Sequence, residues 1–284
     1  MIQEIRIKNY LSFRDEVVLS FEATKDTTFE ECQVVNVTPK VRLLRFALIY
    51  GANASGKSNL LNAMDFLCGF WFDKKSDIDE ETGVLPFLLD TETPNEPSEF
   101  NIKFFVDDKR YWYTLVLNDK QVIKENLYVY NSVQPSLVFS RELDGTASLI
   151  KLNASLVKAN ATIVEQLNVK CLSNMSFFAA RNQVNCSLAY IDEVRDWMKN
   201  NMMPIIEPGT RMFEYAGKQM EKNAELKAYI LDFVHKADYN ITDVYTEREK
   251  VPIPDFVKTS IMEDKDIPEK AKEKMLTDNA LERL

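Results

Sequence analysis

Eight residues, Gly51–Ser58, have the types and spacing of a loop that holds phosphate groups. They match the pattern G-x-x-x-x-G-K-[ST]. The backbone N–H groups of such a loop surround an anion, and a following helix adds partial positive charge at its start. Lys57 would neutralise the β- and γ-phosphates, and the Ser58 hydroxyl would bind Mg²⁺. We therefore predict a site for ATP with Mg²⁺ at Ser58, with GTP as the alternative nucleotide. The predicted nucleotide-binding residues are Gly51, Asn53, Ala54, Ser55, Gly56, Lys57, Ser58 and Asn59.

The elements on either side of this motif support the prediction. The apolar run Phe46–Tyr50 precedes the motif and predicts a β-strand. The residues from Ser58 to about Phe72 have the periodicity of an amphipathic helix. A strand that ends at Tyr50 would deliver the loop to the edge of a sheet, where the helix begins.

Composition and charge exclude several other classes of protein. The formal net charge of −9 over 284 residues argues against a nucleic-acid binder that uses its whole surface. No apolar run approaches the length of about 18 residues that a membrane-spanning helix needs, and the first residues do not resemble a signal peptide. The four cysteines lack Cys-x-x-Cys spacing, so we expect reduced thiols rather than a zinc site. These features predict a cytoplasmic protein without a membrane partner, and they leave local contact with nucleic acid open.

The order of elements predicts a nucleotide-binding lobe at residues 1–152 and a helical arm at residues 153–284. The lobe is expected to contain strands at 2–7 and 17–21, a short strand near Val34, the strand and helix around the loop, and an antiparallel meander between residues 99 and 150. The arm is expected to contain helices at 158–168, 185–201 and 213–236, breaks at Pro204 and Pro208, a strand at 241–245 and a charged segment from Asp264. In the meander, Tyr111–Tyr113 could stack nucleic-acid bases, but packing between strands is favoured.

The residues around the loop resemble the start of an ABC/SMC-type ATPase head. The resemblance rests on Ile5–Arg14 and on Leu48–Leu61, which includes the loop. SMC proteins, RecF and the overcoming-lysogenization-defect ATPase nucleases begin similarly. The chain is also similar to bacterial AAA family ATPases of abortive-infection and phage-defence loci, through Asn53–Ser55, Glu125–Tyr128 and Phe139–Arg141. The implied fold is α/β, the N-terminal lobe of a P-loop NTPase head with an antiparallel meander and a helical arm.

The resemblance also implies a composite site and a set of weaker nucleotide contacts. In such heads, two subunits sandwich two ATP molecules, so a homodimer or larger oligomer and an effector protein are the expected partners. Asn9, Ser12 and Arg14 would lie near the nucleotide, although Arg14 could equally be a surface cation. Gln183 would sense the γ-phosphate, with Asn182 as the alternative, and a helix-capping role is favoured over both. His235 is expected to be a packed or surface residue.

The chain departs from the pattern of such heads in its second half. A complete head carries a signature segment and an apolar strand followed by Asp-Glu, and the sequence has no Leu-Ser-Gly-Gly-like segment. Its one Asp-Glu candidate is Leu188–Glu193, where Asp192 would assist Mg²⁺ and Glu193 would activate water. The spacing of Leu188, Ile191 and Met198 favours an amphipathic helix instead. The expectation is therefore the N-terminal portion of a head without its C-terminal lobe, and no catalytic base is identified.

Three hypotheses on function follow from these observations. The first is an Mg²⁺-dependent ATPase that acts as an ATP-gated switch, with a role in phage defence that rests on the resemblance alone. The second is a module that binds nucleotide without hydrolysing it, since the hydrolytic parts are missing. The third is a RecF-like, DNA-associated ATPase, against which the acidic charge and the absence of coiled-coil heptads weigh.

Overall fold

The computed structural model describes residues 1–145, 147–203, 205–207, 209–210, 212–245, 249–263, 272, 276 and 280–283. These residues form two compact units, 1–205 and 206–284. The predicted breaks at Pro204 and Pro208 and nearly all of the predicted charged segment from Asp264 lie outside the described residues. No helix in the described part is long and apolar enough to cross a membrane.

The first unit is built on a seven-stranded sheet with the strand order β2-β1-β5-β6-β7-β8-β9, in which every pair is antiparallel. A separate hairpin consists of β3 and β4. The strands are β1 (Ile2–Lys8), β2 (Val17–Ser20), β3 (Val34–Thr38), β4 (Val41–Leu44), β5 (Ser98–Val106), β6 (Lys109–Leu117), β7 (Val122–Tyr130), β8 (Ser136–Asp144) and β9 (Ala147–Leu152). The predicted antiparallel meander is therefore confirmed.

Alternating side chains explain why the meander strands form and which face they bury. In β5, Phe100, Ile102 and Phe104 are buried, while Asn101 and Lys103 between them are partly exposed. The turn from β5 into β6 takes two residues, and Asp107, the first of them, adopts the left-handed conformation (φ 50°) that tight hairpins use. One face of the sheet thus forms an apolar wall.

Four of the five described helices of the first unit, all except the first, bury side chains against that wall. The helices of the first unit are α1 (Glu30–Gln33), α2 (Lys57–Phe70), α3 (Ala161–Lys170), α4 (Phe177–Arg181) and α5 (Ile191–Asn201). Helix α2 buries Leu60, Ala63, Leu67 and Phe70, whose spacing of three and four residues places them on one face. The ring of Phe177 in α4 stacks on Phe139 at 4.0 Å between centroids. The fold is mixed α/β with a mostly antiparallel sheet, as predicted.

These contacts place the unit boundary beyond the predicted lobe boundary at residue 152. Helix α3 packs against β9, and α4 and α5 bury Phe178 and Trp197 in the same core as the meander. The first part of the predicted arm therefore belongs to the first unit, which ends at residue 205.

The second unit contains helices α6 (Phe213–Lys222), α7 (Ala224–Lys236) and α8 (Asp255–Glu263), and a strand pair of β10 (Glu249–Pro252) and β11 (Ala280–Arg283). The sequence predicted one helix at 213–236, but Asn223 divides it. Its backbone is extended (φ −137°, ψ 97°) and its side chain caps α7 by accepting the Leu226 N–H. The strand predicted at 241–245 is wrong, since these residues are irregular.

The strand predicted at Phe46–Tyr50 is also wrong. These residues form no regular element and pair with none of the described strands. Phe46, Leu48, Ile49 and Tyr50 are exposed, with Tyr50 at 92%. An uninterrupted apolar run is typical of a strand covered on both faces in a parallel sheet. The described strands pair only antiparallel, so none of them forms the parallel sheet in which this run would be paired and covered on both faces.

Candidate functional site

The start of helix α2 has a glycine at its N-cap and no side-chain cap. Gly56 precedes the helix in the left-handed conformation (φ 87°), which glycine adopts without strain. No side chain caps this helix end, and the first turn contains no acidic residue. The first N–H groups of α2 therefore lack a side-chain acceptor, and the partial positive charge of the helix start is not offset there.

Two backbone carbonyl groups of the loop bind the side chain of Lys57. Its Nζ donates hydrogen bonds to the carbonyl oxygens of Gly51 (3.0 Å) and Ala52 (2.7 Å). Residues 51–55 are exposed, and Ser58 is exposed on the first turn of the helix. The Lys57 ammonium group, the Gly56 turn and Ser58 thus lie along one short and largely exposed backbone segment.

The turn Asn9–Arg14 lies directly against this loop. The Ser12 Oγ accepts a hydrogen bond of 2.8 Å from Asn59 Nδ2. A Cβ atom added at Gly56 would lie 2.9 Å from Cε1 of Phe13 and 3.0 Å from Oγ of Ser12. The structure therefore places Ser12 beside the loop, together with Phe13, which the sequence did not single out. The contact of Ser12 with nucleotide stays a prediction.

Asn9 faces the interior and not the loop. Its side chain is fully buried, donates to the carbonyls of Thr93 and Glu96 (2.8 Å each) and accepts the Phe87 N–H (2.9 Å). These backbone groups occupy the amide on both sides. The predicted contact of Asn9 with the nucleotide is therefore wrong, because its amide is buried and its hydrogen-bonding groups already have backbone partners.

Arg14 lies in the same turn but among acidic residues. Its guanidinium pairs with Asp15 at 3.1 Å, and the Asp15 carboxylate, with a smaller effect from Asp90, raises the pKa of Arg14. Arg14 also lines a cavity of about 420 Å³ together with Lys8, Asp90, Thr91, Thr93 and Glu96. The local partners of Arg14 are thus carboxylates, and its phosphate contact stays a prediction.

Comparison with known protein families gives one match that covers this region. Residues 46–151 match the family model described as "AAA domain, putative AbiEii toxin, Type IV TA system". This match supports an AAA-type ATPase family of the abortive-infection type for the matched segment. No curated protein sequence matches the chain. The match begins at the exposed run before the phosphate loop and extends through α2 and the meander to β9.

The Asp-Glu pair that the sequence offered as a catalytic candidate lies outside the matched segment and within a helix. Residues 191–201 form helix α5, which confirms the amphipathic alternative. Asp192 pairs with Arg181 at 2.8 Å and accepts the Leu188 N–H, while Glu193 pairs with Lys109 at 2.8 Å. This hydrogen bond raises the pKa of Lys109. Both carboxylates therefore hold α5 in place.

The remaining weak candidates do not join the loop. Gln183 lies just after α4, and its Nε2 is 3.5 Å from the carbonyl oxygen of Ala179 in that helix. Asn182 is exposed at the C-terminal end of α4, and His235 is exposed on α7 in the second unit. The structure gives none of them a contact with the phosphate loop.

The most densely bonded polar cluster of the AAA-type segment lies inside the sheet. Glu125 and Arg141 are buried and pair at 3.0 Å across β7 and β8. Glu125 also accepts hydrogen bonds from Tyr113, Ser176 and the Phe177 N–H. Arg141 donates to the carbonyls of Leu172, Ser173 and Met175 and to Ser148. The cluster therefore joins the meander to the chain that leads into α4.

Sequence reasoning quoted these two segments only as features of a resemblance. The signal that was available is a charged residue at an inward position of each of two neighbouring strands. A glutamate and an arginine at such positions indicate a buried pair, because neither is buried alone without a large cost.

The loop residues fit Mg²⁺ bound together with a nucleotide. Among the described residues there is no group of three or more His, Cys, Asp or Glu that could hold a metal ion by itself. Mg²⁺ commonly takes one or two protein oxygens and completes its shell with phosphates and water. The exposed hydroxyl of Ser58 at the uncapped helix start is suited to be that protein oxygen.

Proposed function

We propose that this chain binds Mg-ATP at Gly51–Ser58 and acts as an ATP-gated switch. The observation that carries the proposal is the uncapped start of α2, with Gly56 in a left-handed turn and Lys57 bonded to the loop carbonyls. Membership of the segment in an AAA-type ATPase family supports nucleotide binding. ATP is preferred to GTP on the sequence resemblance alone.

In this proposal, each loop residue has one task. The loop and helix N–H groups bind the phosphate oxygens, Lys57 offsets the charge of the β- and γ-phosphates, and Ser58 ligates Mg²⁺. Bound Mg²⁺ would supply further charge neutralisation at the phosphates. Gly56 lets the backbone come close, because a side chain there would strain the turn and collide with Phe13.

A second candidate is nucleotide binding without hydrolysis by this chain. The engagement of Asp192 and Glu193 in ion pairs favours it, because neither carboxylate is free to orient a water molecule. Under the first candidate, the base would come from another segment or another subunit.

The assembly and the setting are proposals of the same kind. The exposure of residues 51–55 supports a site completed by a second surface, as in a dimer that encloses the nucleotide between two copies. An effector protein would then respond to assembly, and the abortive-infection character of the family supports a role in defence against phage. The four cysteines are unpaired in the structure, which supports a reducing, cytoplasmic location.

The test is calorimetric titration of the full chain with Mg-ATP. Wild-type protein should bind, and Lys57→Ala should weaken binding at least about 100-fold, since it removes the one cation on the loop. Lys124→Ala is the matched control, because it removes an exposed lysine from the sheet. Absence of binding by folded wild-type protein, or equal binding by Lys57→Ala, would refute the proposal.

Single-turnover ATP hydrolysis separates the two candidates. Turnover that is lost in Lys57→Ala but kept in Glu193→Gln indicates hydrolysis with a base other than Glu193. Binding without turnover by the dimerised protein supports the non-hydrolysing module.

A further inference from the structure

We infer that the turn Asn9–Arg14 positions the phosphate loop, with Ser12 and Phe13 as positioning residues. We call this segment the bracing turn. The inference rests on the proposed nucleotide binding and deepens it, because it assigns a role to residues that touch the loop without touching the phosphates. It also predicts that binding depends on a segment more than 40 residues away in the chain.

The first contact of the bracing turn is with Gly56. The Phe13 ring and the Ser12 hydroxyl leave no room for a Cβ at this position, since it would lie 2.9 and 3.0 Å from them. Gly56 adopts φ 87°, and a glycine backbone has more conformational freedom than that of any other residue. The ring of Phe13 packed over Gly56 removes much of that freedom and keeps the turn in the form that starts α2.

The second contact is with the exposed side of α2. Ser12 Oγ accepts from Asn59 Nδ2 at 2.8 Å, and the Tyr10 hydroxyl donates to the Asn62 carbonyl at 3.2 Å. Asn59 and Asn62 are three residues apart, so they lie on one side of the helix. The bracing turn thus contacts Gly56 and the first two turns of α2.

The bracing turn is itself held rigidly from the opposite side. Asn9 has φ 51° and binds the backbone of residues 87, 93 and 96 through its side chain, while its carbonyl accepts from Ser98. Leu11 has φ 50°, and its N–H donates to the Leu85 carbonyl. Two strained residues persist in a short turn only where surrounding bonds hold them. Asn9 is therefore the anchor of the turn.

A rigid support of this kind raises affinity for phosphate without adding a contact to it. The loop amides of residues 51–58 converge on a ligand only in one backbone conformation, and ordering a flexible loop on binding costs free energy. The bracing turn supplies that order beforehand. Loss of the support should therefore weaken nucleotide binding while the core remains intact.

The experiment is a double-mutant cycle on Mg-ATP affinity in the full chain. Ser12→Ala and Asn59→Ala should each weaken binding about fivefold, and the double variant should be no weaker than the weaker single variant, because both remove the same hydrogen bond. Phe13→Ala should weaken binding about tenfold by releasing Gly56. Asn126→Ala is the matched control, since it removes an amide-to-hydroxyl bond of 3.1 Å to Thr114 in the sheet, and it should leave affinity unchanged.

Hydrogen exchange of the loop amides gives a readout that does not depend on nucleotide. Exchange at residues 51–58 should speed up in Ser12→Ala and Phe13→Ala, while exchange of the β6 and β7 amides stays as in wild type. If wild-type protein binds Mg-ATP and both variants keep the wild-type affinity and loop exchange rates, this inference is overturned and the proposed function is not. Failure of wild-type protein to bind Mg-ATP would instead refute the proposed function.

Discussion

At the residue scale, the Glu125–Arg141 pair contrasts with a neighbouring pair of the same two strands. Glu125 and Arg141 have side chains exposed by 0% and 1%, whereas Lys124 and Glu142, one position along each strand, are exposed by 49% and 54%. An exposed pair is worth little because water competes for both charges. A buried pair is costly to break because the remaining charge has no water.

We predict that Arg141→Met lowers the free energy of unfolding of the first unit by about 3–5 kcal/mol, since it strands the Glu125 carboxylate. Lys124→Met should cost less than about 1 kcal/mol. Urea unfolding followed by tryptophan fluorescence measures both, because all three tryptophans, Trp71, Trp112 and Trp197, lie in the first unit. Glu125→Gln combined with Arg141→Met should be more stable than Arg141→Met alone. Equal losses for the two single variants would contradict the buried pair.

The ion pairs of Glu4 give a pH-dependent contribution to stability. Hydrogen bonds from Arg6 first, and then from Lys103, lower the pKa of Glu4 below its usual 4.5. A carboxyl group whose pKa is lowered on folding stabilises the protein above its unfolded pKa, and this stabilisation is lost as the pH falls through the folded pKa.

We therefore expect Glu4→Gln to be less stable than wild type at pH 7 and to approach wild-type stability as the pH falls below 4.5. Urea unfolding at a series of pH values measures the difference between the two proteins. A difference that stays constant from pH 7 to pH 3 would show that Glu4 acts through packing and not through its charge.

At the element scale, substitutions of two leucines, one before the loop and one after it, test whether the run Phe46–Tyr50 is exposed in solution. Leu48 in this run is 81% exposed, and Leu67 in α2 is fully buried. Leu67→Ala should destabilise the first unit by about 2–5 kcal/mol through lost burial and a residual cavity. Leu48→Ala should change stability by less than about 0.5 kcal/mol. A large loss for Leu48→Ala would mean that the run is covered in solution, for example by the strands of a partner.

The bracing turn also belongs to this scale. It links the strands β1 and β2 to the loop. Strand β1 ends just before Asn9, and the bracing turn passes beside Gly56 before β2 begins. The support of the loop therefore comes from the antiparallel sheet and not from the irregular run that directly precedes the motif.

At the scale of the whole molecule, the first unit extends to residue 205 because three helices complete the cover of its sheet. Limited proteolysis of the full chain should therefore give a stable fragment that ends near residue 205. Mass spectrometry identifies the end, and the tryptophan signal shows whether the fragment remains folded. A stable fragment ending near residue 152 would support the boundary expected from sequence and would contradict the packing of α3 to α5.

The parts that sequence reasoning predicted well are those that neighbouring residues decide. The meander follows from alternation at positions such as Phe100, Ile102 and Phe104 and from the Asp107 turn. Helix α2 follows from periodicity and from Gly56-Lys57, and the helical state of Asp192 and Glu193 follows from the apolar spacing around them. Predictions at Phe46–Tyr50 and at residues 241–245 failed, because a β-strand requires a partner strand that no local pattern supplies.

The sequence alone determined the chemistry of the loop, since the eight residues Gly51–Ser58 carry the lysine, the hydroxyl and the glycines in one continuous segment. Only the tertiary structure decided which distant residues stand beside that loop. It placed Phe13 and Ser12 on Gly56 and Asn59, turned Asn9 into the interior, and paired Glu125 with Arg141. The physical reason is that local bonding and periodicity act over a few residues, whereas burial and side-chain contact depend on how the sheet brings separate segments together.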